Sequence, residues 1–292
     1  MLTLELEIDR LYDNHVKADR EEITAALARL RRQLNRGEAR VAEPEGEGWR
    51  LNLWVKRGIL LHHLIGRLEQ AEQEVAGFFE LDTLPRRRFT AADRVRIPSA
   101  TAYVRDGAFL GAGAMCMPCS FVSIGAHVGE NALIDTHASV GLCAQVGKGV
   151  RIHAGAKIGG VIDPLDALPN IVCENAVIGC NCGIYDGVFI SPDAVLTAGV
   201  TIRRQSRIFD PAQKTGYKAA PGQPLIVPRG AIVVNGMQPV TRGPMANSGL
   251  MVEALVIAGY RNDTSLAEDV YSLVLGEAEA GSAFEGAGFS RN

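Results

Sequence analysis

Asp135 and His153 stand eighteen residues apart, and each directly follows an isoleucine, Ile134 and Ile152. A carboxylate set beside an imidazole orients the ring and stabilises its charged form, a common way of preparing a general base. His137, two residues beyond Asp135, adds a second titratable ring to the same stretch. Each residue alone also has a structural reading, in which an outward aspartate bonds the backbone and a histidine covers it. The pairing favours chemistry, because eighteen residues is the distance over which this chain repeats.

The repeat runs from Val104 to Ile208. A branched or otherwise apolar residue returns every sixth position at Val104, Leu110, Cys116, Val122, Val128, Ile134, Val140, Val146, Ile152 and Ile158. After a two-residue slip it resumes at Val172, Ile178, Ile184, Ile190, Leu196, Ile202 and Ile208. A period of six fits neither an amphipathic helix nor a half-buried flat sheet. It predicts a mainly β fold, the left-handed parallel β-helix of hexapeptide-repeat proteins. The residue after the apolar one is often glycine (Gly111, Gly129, Gly141, Gly147), and four places after it sits a small side chain such as Ala126, Ala138 or Ala156. Large residues are expected to fill a triangular prism, with Gly and Ala allowing tight turns at its corners. Three hexads close one coil, so residues eighteen apart stack roughly 4.8 Å from one another. Asp135 and His153 then hold the same place on successive coils.

Around this domain, read as residues 93–237, lie an α-helical N-terminal domain over 1–92 and a small C-terminal extension over 238–292. Leu4, Ile8 and Leu11 form an apolar stripe, and Asp19 with Glu22 resembles a capping box before Ile23, Leu27 and Leu30, a helix closed by Gly37. Residues 42–47 predict a loop or hairpin turn. From Trp49 to Leu64, the residues Trp54, Val55, Leu60, Leu61 and Leu64 have helical spacing, with Lys56 and Arg57 on the opposite side. His62 and His63 on that helix read as packing or surface histidines. Arg86, Arg87 and Arg88 read as a solvated link, anion binding being the alternative. Between Ile158 and Val172, Pro164 and Pro169 break the register, and a loop near 159–171 is expected to leave the scaffold and carry function. The extension reads as a strand and then a helix over 249–275, with a disordered tail from Gly276.

A net charge of -3 over 292 residues is too mild to point to nucleic acid. No secretory apolar region opens the sequence, and no apolar run approaches the roughly 18 residues a membrane helix needs. The expectation is a cytoplasmic protein with neither nucleic-acid nor membrane partners. Cys116, Cys119, Cys143, Cys173, Cys180 and Cys182 all lie inside the repeat and are expected as free structural thiols. No metal is expected. A zinc hydratase would need three converging histidines, and His127, His137 and His153 sit at different hexad positions: His127 precedes an apolar residue whereas His153 follows one.

The run Ile134-Asp135-Thr136-His137-Ala138-Ser139-Val140-Gly141, followed by Cys143-Ala144-Gln145-Val146-Gly147-Lys148, resembles the tetrahydrodipicolinate N-succinyltransferase family. Ile158-Gly159-Gly160-Val161, Pro164-Leu165, Pro169, Val104 to Phe109 and Trp54-Val55-Lys56-Arg57 extend the likeness over residues from about 50 to 237. The resemblance implies a homotrimer with active sites between subunits, where an amine of a dicarboxylic amino acid attacks the thioester of an acyl-CoA, succinyl-CoA or acetyl-CoA. It places substrate binding and catalysis on Asp135, a substrate carboxylate on Arg96, and the cofactor along Ala198, Lys218 and Arg229.

Two departures stand out. The family's catalytic glutamate falls on Gly183 by ungapped counting, and its tryptophan after Asp-Thr is His137 here. The expectation is therefore that His137 or His153 takes the proton from the attacking amine. The function expected is CoA-dependent N-acyl transfer to 2-amino-6-oxopimelate or a close analogue, in diaminopimelate and lysine synthesis or in a specialised route such as that to tabtoxin. The alternative is a catalytically idle trimeric scaffold or binding module.

Overall fold

A computed structural model describes residues 3–46, 48–70, 78–241, 243–246 and 248–261. Two-residue strands stack in parallel on three faces of a prism, as the six-residue period requires. Face I carries Tyr103–Val104, Phe121–Val122, Ser139–Val140, Lys157–Ile158, Gly183–Ile184 and Thr201–Ile202. Face II begins with Phe109–Leu110 and ends with Ile226–Val227, and face III begins with Met115–Cys116 and ends with Ala231–Pro239. The pairing Ile134 to Ile152 confirms the eighteen-residue coil. The second residue of each strand points inward, so Val104, Val122, Ile134, Ile152, Ile184 and their equivalents form one continuous buried core.

The glycines following those residues do not make the turns. Left-handed backbone falls instead on the third residue after the apolar position: Gly107, Gly113, Gly125, Asn131, His137, Cys143, Gly149, Gly155, Asn175, Asn181, Asp193 and Gly199. The glycine directly after the apolar residue serves coil stacking. A Cβ on Gly111 would lie 2.6 Å from Glu130 N, on Gly147 2.6 Å from Glu174 N, and on Gly179 2.6 Å from Ala198 N. Absence of a Cβ is what lets one corner approach the next.

Ile208 is buried in the core but leaves the ladder. Its strand, Ile208–Asp210, pairs with Thr215–Tyr217 and with the C-terminal strand Met251–Tyr260, while Ile190 stacks on Val227. The chain thus makes an excursion after Ile202 and returns for one further turn at Ile226–Val227. Ala231–Pro239 and Met251–Tyr260 form an antiparallel hairpin. The helix and tail expected beyond it lie outside the described residues.

The N-terminal domain covers face II. Helices α1 (Leu4–Asp13), α2 (Arg20–Arg36) and α3 (Leu53–Ile65) pack Ile8, Leu11, Ile23, Leu27, Leu30, Val55 and Ile59 together. Gly37 closes α2 in left-handed conformation, φ 70°. Asp19 caps α2 through Glu21 N, but Glu22 pairs with Arg10 and does not complete a box. Trp49 is not helical: the strand Gly48–Leu51 pairs with Ala42–Glu45, and the Trp49 ring meets Phe189 of face II edge-on at 6.3 Å. Phe109 and His127 stack at 4.4 Å beneath this domain. Arg86 and Arg87 are not a solvated link. They donate to the carbonyls of Ala100, Ala102 and Ala108 around the first coil. Among the described residues no helix is long and apolar enough to cross a membrane.

His62 is fully buried in α3, and among the described residues neither of its ring nitrogens has a hydrogen-bond partner. Burial, reinforced by Arg31, holds its pKa down at about 3. The unfolded chain therefore binds a proton that the folded one refuses, and stability falls as pH drops from about 6.5 towards 3. His62→Leu should flatten the loss between pH 7 and pH 4.5 by about 2–3 kcal/mol, measured by urea titration at each pH. An unchanged pH slope in the variant would remove His62 from this account.

Candidate functional site

The edge where face III turns into face I collects the residues singled out by spacing. The position after the apolar residue there runs Met117, Asp135, His153, Gly179, Thr197 on successive coils, as the face III pairings dictate. Asp135 is half-buried and accepts from Thr136 N at 2.7 Å through Oδ1, which fixes the carboxylate on the turn. His153 lies half-buried in the next coil, and Asp135 N donates to Ile152 O at 2.9 Å to hold the two in register. His137 occupies the left-handed turn position, φ 59°, and is exposed. Among the described residues neither His137 nor His153 has a side-chain hydrogen bond, so both rings are free to face a substrate. Gly179 leaves bare backbone beyond His153, and exposed Ala198 lies further along the same edge.

The remaining residues are dispersed. Arg96 forms a parallel bridge with Met115 and so extends face III below it, two coils below the Leu133–Ile134 strand that leads into Asp135. It is exposed, with Nη1 at 3.8 Å from Met115 Sδ. Arg229 sits on the edge between faces II and III, where its guanidinium bonds Asp193 Oδ2 at 2.8 Å. Lys218 is exposed in the excursion that precedes Ile226–Val227. His127 belongs to face II, against Phe109, and its pKa is pushed down to about 3 by burial and by Arg40. It does not converge with His137 and His153, which lie on the opposite edge. Burial pushes the thiols of Cys116 and Cys143 up to about 12 and that of Cys182 to about 11, leaving them unreactive.

The extruded loop is built from within the molecule. Asn170 closes its base, donating to Gly159 O at 2.7 Å and accepting from Val188 N at 2.9 Å. Lys56, expected on the outer side of α3, is fully buried and donates to the carbonyls of Pro164 (3.2 Å) and Ala167 (2.9 Å). Burial lowers its pKa, opposed by Cys143, Asp166 and Asp163. Between the loop and the following coils opens a cleft of about 410 Å³, lined among others by Asp163, Asp166, Asp186 and Arg204. Lys56→Met leaves two carbonyls without their donor, at a cost of about 2–4 kcal/mol, and should expose residues 161–169 to limited proteolysis. Cleavage at the wild-type rate would show that the lysine does not hold the loop.

Gly183, where a carboxylate would be sought, is buried, and a Cβ there would meet the ring of Tyr185. Sequence reasoning missed Tyr185. The signal was available, since glycine at an outward strand position breaks the repeat's own pattern.

A family model described as tetrahydrodipicolinate N-succinyltransferase N-terminal matches residues 3–65. The chain is 40% identical over 261 residues to a 2,3,4,5-tetrahydropyridine-2,6-dicarboxylate N-succinyltransferase of Ralstonia nicotianae, spanning 86% of this chain and 90% of that protein. Proteins of the same name from Acidovorax ebreus (38% over 276 residues; 90% and 96% covered) and Neisseria meningitidis (39% over 255 residues; 85% and 89% covered) are similar throughout.

Proposed function

The chain belongs to the tetrahydropyridine-dicarboxylate N-succinyltransferase family of acyltransferases, and from that premise we propose that it transfers a succinyl group from succinyl-CoA to the amine of 2-amino-6-oxopimelate, the opened form of tetrahydrodipicolinate. The observation that carries the reading is the likeness to N-succinyltransferases along both the helical domain and the β-helix. The placement of Asp135 one coil from His153 on an open edge supports it.

On this reading the acceptor's amine attacks the thioester carbonyl, a C–N bond forms and the C–S bond breaks. Neutral His153, one coil from Asp135, takes the amine proton and returns it to the departing thiolate. An N–H donor on the open edge would hold the oxyanion. Pantetheine would run along the edge past Gly179 and Ala198, with Lys218 and Arg229 towards the nucleotide end and Arg96 on a substrate carboxylate. A homotrimer would close each site with the face of a neighbouring subunit. No step calls for a metal.

The test is to incubate the protein with tetrahydrodipicolinate or 2-aminopimelate and, separately, succinyl-CoA or acetyl-CoA, and to weigh the products. Succinylated amine is the expected product. Acetylated product alone would reassign the donor, and transfer from neither would favour a trimeric binding module.

A further inference from the structure

Among the described strands, the residue before each inward apolar position carries a side chain, with one exception, Gly183 on face I. The gap is filled by Tyr185, whose ring folds back across it. A Cβ on residue 183 would lie 2.6 Å from Tyr185 Cε2 and 3.0 Å from its hydroxyl, and a Cβ on Gly159, one coil below, 2.7 Å from Cδ1. Arg203, one coil above, sets its guanidinium carbon 5.8 Å from the ring centroid. Two absent Cβ atoms and a cation–π contact thus seat a single ring, and its hydroxyl has no hydrogen-bond partner among the described residues.

The strand residues flanking Gly183 carry donors. Lys157 pairs with Gly183 from below and Thr201 from above, and both are exposed. Lys157 Nζ donates to Gly155 O at 3.3 Å, in the turn that follows His153, so this face begins where the edge bearing Asp135 and His153 ends. Among the described residues neither Lys157 nor Arg203 pairs with a carboxylate. Asp186, although next in sequence to Tyr185, lines the cleft beneath the extruded loop instead. A phenol, an ammonium, a hydroxyl and a guanidinium on one face, with two positive charges and no paired acid, match an anion carrying several acceptor oxygens.

We propose that Tyr185, seated in the Gly159 and Gly183 notch beside Lys157 and Arg203, is a specificity-determining residue that receives a carboxylate of the substrates. The inference rests on the acyltransferase reading for its ligand: the carboxylate is either that of the succinyl donor or one of the dicarboxylic acceptor.

Calorimetric titration of the wild type, Tyr185→Phe, Arg203→Gln and Gly183→Ala tests it without requiring turnover. The ligands are succinyl-CoA against acetyl-CoA and 2-aminopimelate against 2-aminoheptanoate, each pair differing by one carboxylate. Loss of a hydrogen bond to a charged group predicts about tenfold weaker binding of the carboxylate-bearing member. Gly183→Ala, which keeps the hydroxyl but drives the ring off its seat, should behave like Tyr185→Phe. Loss confined to succinyl-CoA assigns the donor's carboxylate, and loss confined to 2-aminopimelate assigns the acceptor's. The proposal is overturned if the wild type binds neither dicarboxylate, if all variants stay within twofold of it, or if both members of a pair weaken alike. A wild type that binds these ligands but transfers nothing would instead defeat the transferase reading and leave the carboxylate site standing.

Discussion

His153→Asn lowers kcat by about 10²–10³ with little change in the affinity for either substrate, whereas His137→Asn costs less than about tenfold. The asymmetry follows from the coil register. Asp135 occupies the same column as His153, one coil away, and its carboxylate is fixed by Thr136 N at 2.7 Å. His137 lies in the left-handed turn position, exposed and outside that column. An imidazole that must accept a proton from the attacking amine gains most from the neighbour that stabilises its charged form. His153→Asn keeps a polar side chain of similar reach, so a fall in kcat reads the lost base and not a collapsed turn. Unchanged affinity beside the lost kcat is what a merely structural histidine would not give. Full activity in both histidine variants would end the proposal that either is the base, and equal losses would make them a relay.

The architecture was legible because the apolar period is a direct record of coil geometry: each inward position must be large and each corner small. That regularity placed Asp135 beside His153 without any knowledge of the site. Other features depend on partners distant in sequence, and local pattern does not encode them. Lys56 looks like an exposed helix residue until the extruded loop, more than a hundred positions later, brings the Pro164 and Ala167 carbonyls to its ammonium. Ile208 keeps the six-residue count, yet its strand is claimed by Met251–Tyr260. Trp49 has helical company in sequence but is drawn into a hairpin that reaches Phe189. Gly183 shows the limit most plainly. Its lack of a side chain reads as a loss until the Tyr185 ring is found lying over it.

Gly141→Ala destabilises the protein by about 3–5 kcal/mol, although both residues are small and the backbone there is ordinary for an L-residue. The cause is the second role of glycine in this repeat. A Cβ on residue 141 would press on Gly160 N and lie 2.8 Å from both Gly159 C and Gly160 Cα. Its neighbour is equally constrained, since a Cβ on Gly160 would lie 2.6 Å from Leu142 N. Two backbones pack here with no room on either side, and neither can give way. Gly141 N donates to Ile158 O at 2.7 Å, and Val161 N to Leu142 O at 3.2 Å, so separating the coils would break ladder bonds on both flanks. Gly160 is also where the extruded loop departs, so the strain would reach the cleft lined by Asp163, Asp166 and Arg204. Gly259→Ala serves as the control, because a Cβ there meets nothing within 4 Å. Urea titration should separate the two variants by most of the predicted difference. A Gly141→Ala protein within about 1 kcal/mol of wild type would show that the corners are looser than these contacts require, and that glycine after the apolar residue is there for turning after all.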